Sequence, residues 1–184
     1  MRVAVTGTPG TGKTTVSDLV ETDLDVVHLN DVVREEGFHE GEDPDRGSLY
    51  ADLDRVAEWL GDRACLVESH LAHHLDADRV VVLRCHPDEV EARLRERGES
   101  EEKARENEAS TKSPQALARY ARENAEAEAL DVILSEAVAR HGLDHVYEID
   151  TTDRTPDAVA RDVEAVLRGD RDPSAGTVDF TDYL

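Results

Sequence analysis

Lysine is scarce in this 184-residue chain. Only Lys13, Lys103 and Lys112 occur, and the other basic residues are arginines. In all, 21 basic side chains stand against 43 acidic ones, a net charge of −22. That deficit argues against a broad basic footprint for nucleic acid, though not against a local arginine site. It also loads the compact state with self-repulsion at low salt. The load is tolerable where the Debye length shrinks to about 3 Å, as in 1 M salt, and the composition resembles that of proteins from extreme halophiles. Long apolar runs are missing too, so no membrane-spanning helix is expected. The chain passes directly from Met1 into a strand-like run. No signal peptide is therefore expected, and the expected location is cytoplasmic. Cysteine is limited to Cys65 and Cys85, at the edges of apolar runs and without metal or redox spacing, which reads as two buried free thiols. The length suits one domain with a full α/β core.

What is present is organised around residues 2–20, RVAVTGTPGTGKTTVSDLV. Val3, Ala4 and Val5 have the character of a buried strand. Gly7 to Thr14 fits G-x-x-x-x-G-K-[ST] at every required position. Thr14 to Val20 then reads as a helix with Val16, Leu19 and Val20 on one face. Gly7, Gly10 and Gly12 let the backbone bring its N–H groups up to phosphate oxygens. The helix N-terminus behind them adds free donors and a positive dipole end. Lys13 supplies a point charge, the Thr14 hydroxyl suits Mg²⁺, and Thr15 suits a further phosphate contact.

Downstream, Val26–Leu29 reads as a second strand, with Asn30 or Asp31 capping a helix over Val32–Glu36 that Gly37 stops. His39 to Gly47 reads as a polar loop. A helix is expected from about Leu49 to Leu60, with Leu49, Leu53, Val56, Ala57 and Leu60 on one face. Ala64–Val67 is a third strand ending in Glu68-Ser69-His70. Arg79–Cys85 is a fourth, apolar on both faces up to Arg84 as a central parallel strand should be. Pro87 opens a helix to about Arg97 that Gly98 is expected to break. Residues 100–141 are helical in character apart from Ser113-Pro114, with Leu130, Ile133, Leu134, Ala137 and Val138 facing the core. His145–Ile149 is the fifth strand and Pro156–Leu167 the last helix. The tail from Gly169 is polar, with Val178, Phe180 and Tyr183 as docking points. Five strands alternating with helices give a doubly wound parallel sheet of the P-loop NTPase type, with helices on both faces. Its ligands belong at the carboxyl ends of the strands, where Gly7, Asn30, Glu68, His70 and Arg84 fall.

A phosphate-binding loop by itself specifies only nucleotide phosphates. Two further segments carry arginines suited to equatorial phosphate oxygens. Arg34 and Arg46 lie between strands two and three, in a region sized to close over a second small substrate. Arg93, Arg95 and Arg97 precede Gly98, after which residues 98–103 are short enough to form a lid. Phosphoryl transfer needs positioning, charge neutralisation and exclusion of water, which two such flaps supply.

These residues resemble the archaeal and nuclear adenylate-kinase-like nucleoside-monophosphate kinase family, which is also implicated in maturation of the small ribosomal subunit; the acidity suggests a halophilic archaeal member. The similarity rests on GTPGTGKTT at 7–15, NDVVREEG at 30–37, DLDRV at 52–56, VESHLAHHL at 67–75, VVLRCHP at 81–87, RLRERGESEEKARENEA at 93–109 and AEALDVILSEA at 127–137. It implies one kinase domain with a monophosphate-binding flap at 28–51 and a lid at 97–107. It implies Mg-ATP bound by Gly10, Gly12, Lys13, Thr14, Thr15 and Arg97. Catalytic roles fall on Lys13, Arg34, Glu68, His70 and Arg97. Thr14 would ligate Mg²⁺ directly and Glu68 through water, with Arg34 on the acceptor phosphate. His70 either orients a water or the acceptor phosphate, or is a polar strand-end residue. His73 and His74 follow it, but no clear fourth ligand is visible and no metal cage is expected. The resemblance further implies AMP or another nucleoside monophosphate as acceptor, slow ATPase activity, and a small-subunit ribosomal protein and the pre-ribosome as partners. A monomer is expected. An ATP-driven ribosome-assembly switch, or a P-loop kinase for another metabolite, are the alternatives.

Two departures from the family pattern stand out. Glu99 occupies a position that often carries an aromatic. Ala104–Asn107 recurs as Ala121–Asn124, which makes 108–124 look like an insertion of 17 residues. Seventeen residues are not a whole number of helical turns, so Thr111–Pro114 is expected to bulge out and reset the register. The acidic tail spans 169–184.

Overall fold

The computed structural model describes residues 1–42, 49–104 and 114–184. Its centre is a parallel sheet of β1 (Arg2–Thr6), β2 (Asp25–His28), β5 (Cys65–Glu68), β6 (Arg79–Arg84) and β7 (Val146–Asp150). The strand order is β2-β5-β1-β6-β7. β1 lies between β5 and β6, with Val5 opposite Glu68 on one side and Val81 on the other. A doubly wound α/β P-loop fold is therefore present.

Because side chains alternate along a strand, each strand feeds two cores. Ala4, Cys65, Val67, Val80, Val82 and Val146 face one layer. That layer holds α2 (Leu29–Glu35), α3 (Leu53–Leu60) and α6 (Val132–His141). Val3, Val5, Leu66, Val81, Leu83 and Ile149 face the other. There Val16 of α1 (Lys13–Leu19) meets Val159, Val163 and Val166 of α7 (Pro156–Arg168). α7 starts and stops on local chemistry: Thr155 Oγ1 accepts from the Ala158 N–H, Pro156 takes the first turn, and Gly169 ends it left-handed.

Several expectations fail at element boundaries. Leu19, expected on the apolar face, is exposed, whereas Val16 and Val20 are buried. α2 begins at Leu29 directly after β2, without a side-chain cap from Asn30 or Asp31. Residues 39–42, expected as loop, form β3 (His39–Glu42), antiparallel to β4 (Leu49–Ala51), which was expected as helix. Asp52 is the reason α3 starts later, because its carboxylate accepts from the Arg55 N–H and caps the helix at Leu53. Leu49 and Ala51 still pack against the core, as their spacing implied, but from a strand.

Gly98 does not break its helix. α4 runs over Pro87–Ala104, so residues 98–103, expected as a lid loop, are its last turns. A Cβ on Gly98 would collide with Leu117 of α5 (Pro114–Ala129), so the glycine serves helix–helix approach there. Arg46 and Thr111–Ser113, and with them the expected bulge, lie outside the described residues; Pro114 is the first residue of α5. α5 and α6 are separated at Leu130-Asp131, with Asp131 at φ 53°, and Leu130 is exposed rather than in the core.

The tail returns to the sheet along β7. Ser174 N–H donates to the Val146 carbonyl at 3.1 Å. The Thr177 and Val178 N–H groups donate to Glu148 Oε2 at 2.6 and 3.1 Å. Phe180 lies against His86, with ring centroids 5.5 Å apart, and Tyr183 donates to Glu91 at 3.2 Å. An edge strand is thereby covered.

Candidate active site

The loop between β1 and α1 is held shut from beneath. Thr8 supplies the knot: its carbonyl accepts from Thr11 N–H at 3.2 Å, Thr11 Oγ1 at 2.9 Å and Lys13 Nζ at 3.0 Å. A side chain at Gly7 (φ 140°) would strike the Leu83 carbonyl, and one at Gly10 would press Val90 and Leu94 of α4 at 3.2–3.3 Å. Only glycine lets the strand turn so tightly there.

Beyond the loop, at the carboxyl edge of the sheet, lies a cleft of about 610 Å³. The residues given binding or catalytic roles from the sequence all line it: Gly10, Gly12, Lys13, Thr14 and Thr15 from the loop and α1, Arg34 from α2, Glu68 and His70 after β5, and Arg97 from α4. Because α2 follows β2 and α4 follows β6, the two arginines approach from opposite sides of the loop. Arg84, also expected at this edge, does not line the cleft and is buried below it.

Electrostatics differ among these groups. Burial pulls Lys13 down to about 8, against the attraction of Glu68 and Glu128 and with the help of Arg97. The ammonium is thus a charge with little solvent, suited to an anion. Burial likewise pushes His70 down to about 4, assisted by Lys13, His73 and His74, so its imidazole is neutral at neutral pH. Glu68 is buried, and its Oε2 meets His28 Nδ1 at 3.0 Å, while His28 Nε2 meets Asp18 at 3.0 Å. Burial disfavours the charge on His28, but the Glu68 hydrogen bond and the Glu68 and Asp18 charges outweigh it and raise its pKa. His28 therefore steadies Glu68. Arg34 is exposed and reaches Asp31 at 3.6 Å. Arg93 donates to the Gly10 carbonyl at 3.3 Å and pairs with Glu89.

Sequence reasoning missed the support under the loop. Thr8 Oγ1 donates to Glu128 Oε2. Glu128 Oε1 accepts from Arg84 Nε at 2.6 Å and from Cys85 N–H at 3.1 Å. The same guanidinium reaches Glu148, Asp131 and, at 3.1 Å, the Glu128 carbonyl. Burial alone would lower the Arg84 pKa; the three carboxylates outweigh it and raise it. Phe180 of the tail sits 5.4 Å from this guanidinium. The chain of contacts runs unbroken from the tail N–H groups through Glu148, Arg84 and Glu128 to Thr8. The available signal was an arginine closing a buried run, VVVLR. Cys65 and Cys85 are free and buried, as expected, and burial pushes Cys85 up to about 12.

The site residues fit nucleotide phosphates and a divalent cation: a dry ammonium, left-handed glycines and two exposed hydroxyls at Thr14 and Thr15 meet in one cleft. The AAA domain model matches residues 3–113. A protein named "Putative adenylate kinase" in Natronomonas pharaonis is 59% identical over 185 residues, covering 100% of both chains. The chain belongs to this adenylate-kinase-like family. A like-named protein of Halobacterium salinarum is 58% identical over 186 residues, again covering 100% of both. Both relatives come from halophilic archaea. Among solved structures, a sulfotransferase from Alicyclobacillus acidocaldarius aligns with a TM-score of 0.51 at 14% identity, covering 98% of this chain and 86% of that one, which is a likeness of fold. Among the described residues no helix is long and apolar enough to cross a membrane.

Proposed function

We propose that this member of the family is a nucleotide kinase that transfers the terminal phosphoryl group of Mg-ATP reversibly to AMP or another nucleoside monophosphate. One observation carries the reading: a phosphate-binding loop and arginines from both of its sides converge on one cleft. Lys13 and the loop N–H groups hold the donor phosphates, with Arg97 beside them. Arg34 on α2 takes the acceptor phosphate, so residues 28–51 act as the acceptor flap and 97–107 as the lid. Thr14 Oγ1 and, through water, Glu68 are the groups that hold Mg²⁺, which neutralises phosphate charge. His28 keeps the Glu68 carboxylate oriented. His70, neutral at working pH, orients the acceptor phosphate or a water without adding charge. When water takes the acceptor's place, the same residues support slow ATP hydrolysis. The acid-rich surface fits work in molar salt.

The test is product formation from ATP, Mg²⁺ and each monophosphate in turn in molar KCl, beside ATP alone. Two ADP formed per AMP consumed, far above the ATP-only rate, is the expected result. ATP turnover indifferent to every monophosphate overturns the kinase reading, and leaves an ATP-driven switch in small-subunit and rRNA maturation as its replacement. A non-nucleotide acceptor that works where AMP fails points to a kinase of another metabolite.

A further inference from the structure

A cluster of nitrogen and oxygen donors outside the cleft has no part in that reaction. His73 and His74 lie on a 3-10 turn (Ala72–His74) after β5, and Glu136 comes from α6, which packs against that turn. Glu136 Oε2 is 3.0 Å from His73 Nε2 and 3.9 Å from His74 Nε2. One donor atom from each residue lies within 4.8 Å of the others. A hydrogen-bonded histidine–glutamate pair accounts for His73 alone. It leaves unexplained why the ring of His74, centred 4.0 Å from that of His73, turns its Nε2 toward the same carboxylate.

We propose that His73, His74 and Glu136 form a site for a divalent first-row transition-metal ion, Zn²⁺ above all, with water completing the shell. Two imidazoles and a carboxylate are a common open zinc set, and imidazole selects such ions over Mg²⁺ or Ca²⁺. With metal–ligand bonds of about 2.0–2.1 Å, tetrahedral donors lie about 3.4 Å apart. The observed 3.0 and 3.9 Å bracket that spacing, so rotamer adjustments suffice. Access is graded in the right way: the side chain of His73 is 2% exposed, His74 38% and Glu136 49%, so an ion enters from solvent and meets a rigid inner ligand. The support is already built. Thr6 Oγ1 lies 3.0 Å from His73 Nδ1 and can accept a hydrogen bond from its N–H while Nε2 takes the metal, which is the outer-shell arrangement such ligands use. His141 Nε2 is 2.8 Å from the His73 carbonyl and anchors the turn to α6. The ion would clamp α6 to the turn beside Thr6, the residue that leads into Gly7.

Zinc alone, titrated into chelator-treated full-length protein in molar KCl with excess Mg²⁺, tests this without any nucleotide. One equivalent bound, a rise in melting temperature and a four-coordinate Co²⁺ spectrum are expected. His74→Ala and Glu136→Gln, both at partly exposed positions, should each weaken binding by about tenfold or more and abolish the thermal shift, while His145→Ala leaves both intact. Circular dichroism confirms that the variants remain folded. Absence of saturable binding, or binding equal in the His74→Ala/Glu136→Gln double variant, overturns the site and leaves the kinase reading untouched.

Discussion

On the loop side of the cleft, each polar contact leads inward: Thr8 to Glu128, Glu128 to Arg84, Arg84 to Glu148, and Glu148 to the backbone of the tail. On the α2 side the corresponding arginine points outward. The Arg34 side chain is 67% exposed and, among the described residues, reaches Asp31, three residues away, at 3.6 Å. The difference separates two kinds of site. A buried charge held by several carboxylates is fixed before ligand arrives, and its geometry is paid for in the folding of the domain. An exposed charge on a short helix gains its position when ligand and flap meet. The loop side of the cleft is therefore preorganised, and under the proposed function the α2 side is completed when its ligand binds.

Arg84→Leu should break that contrast most severely. It strands the buried carboxylates of Glu128 and Glu148, and removing one partner of a buried network typically costs about 3–5 kcal/mol. Denaturant unfolding in molar KCl should register a loss of that order. A loss below about 1 kcal/mol would mean that the loop does not depend on its buried support.

Arg34→Ala should behave oppositely, leaving the unfolding curve in place. A hydrogen bond to a charged group contributes about 1.5–3 kcal/mol, so KM for AMP should rise roughly ten- to a hundredfold. KM for ATP should stay within about twofold of its starting value. An equal rise for both substrates would merge the two halves of the cleft into one.

The loop side also carries a pH signature. With its pKa lowered to about 8 by burial, Lys13 is charged below that pH and loses its proton above it. The charged form binds phosphate, so ATP affinity of the nucleotide-free protein should be flat below pH 8 and fall about tenfold per unit above it. Lys13→Arg, which cannot deprotonate, should bind more weakly but without the alkaline fall. A wild-type profile flat to pH 10 would place Lys13 in solvent rather than in a dry loop.

The same contrast explains what could be read in advance. β1, β5, β6 and β7 were legible because parallel strands buried on both faces are short apolar runs, β2 at the sheet edge was legible from its Val26-Val27 pair alone, and the loop was legible because phosphate chemistry fixes its spacing. β3 was not, because His-Glu-Gly-Glu has no apolar alternation, and it is recognised by its pairing with β4. The support beneath Thr8 was hidden for another reason. Glu128 lies 44 residues from Arg84 and Glu148 lies 64 away, and in a chain that is 35% charged they look like surface carboxylates. Leu130 was misplaced because the turn at Asp131, whose carboxylate reaches Arg84, interrupts the helical period.

Gly98 gives the smallest effect and the clearest sign test. In an exposed helix interior, glycine to alanine gains roughly 0.5–1 kcal/mol. Here the new methyl would run into the Leu117 side chain where α4 meets α5. Gly98→Ala should thus fail to stabilise and should lower the melting temperature slightly. Leu117→Ala removes the obstacle, and adding Gly98→Ala to it should recover the helix gain of up to about 1 kcal/mol. Opposite signs in the two backgrounds would establish that the glycine is there for the approach of two helices. Stabilisation by Gly98→Ala in both would restore the view that this glycine only weakens α4.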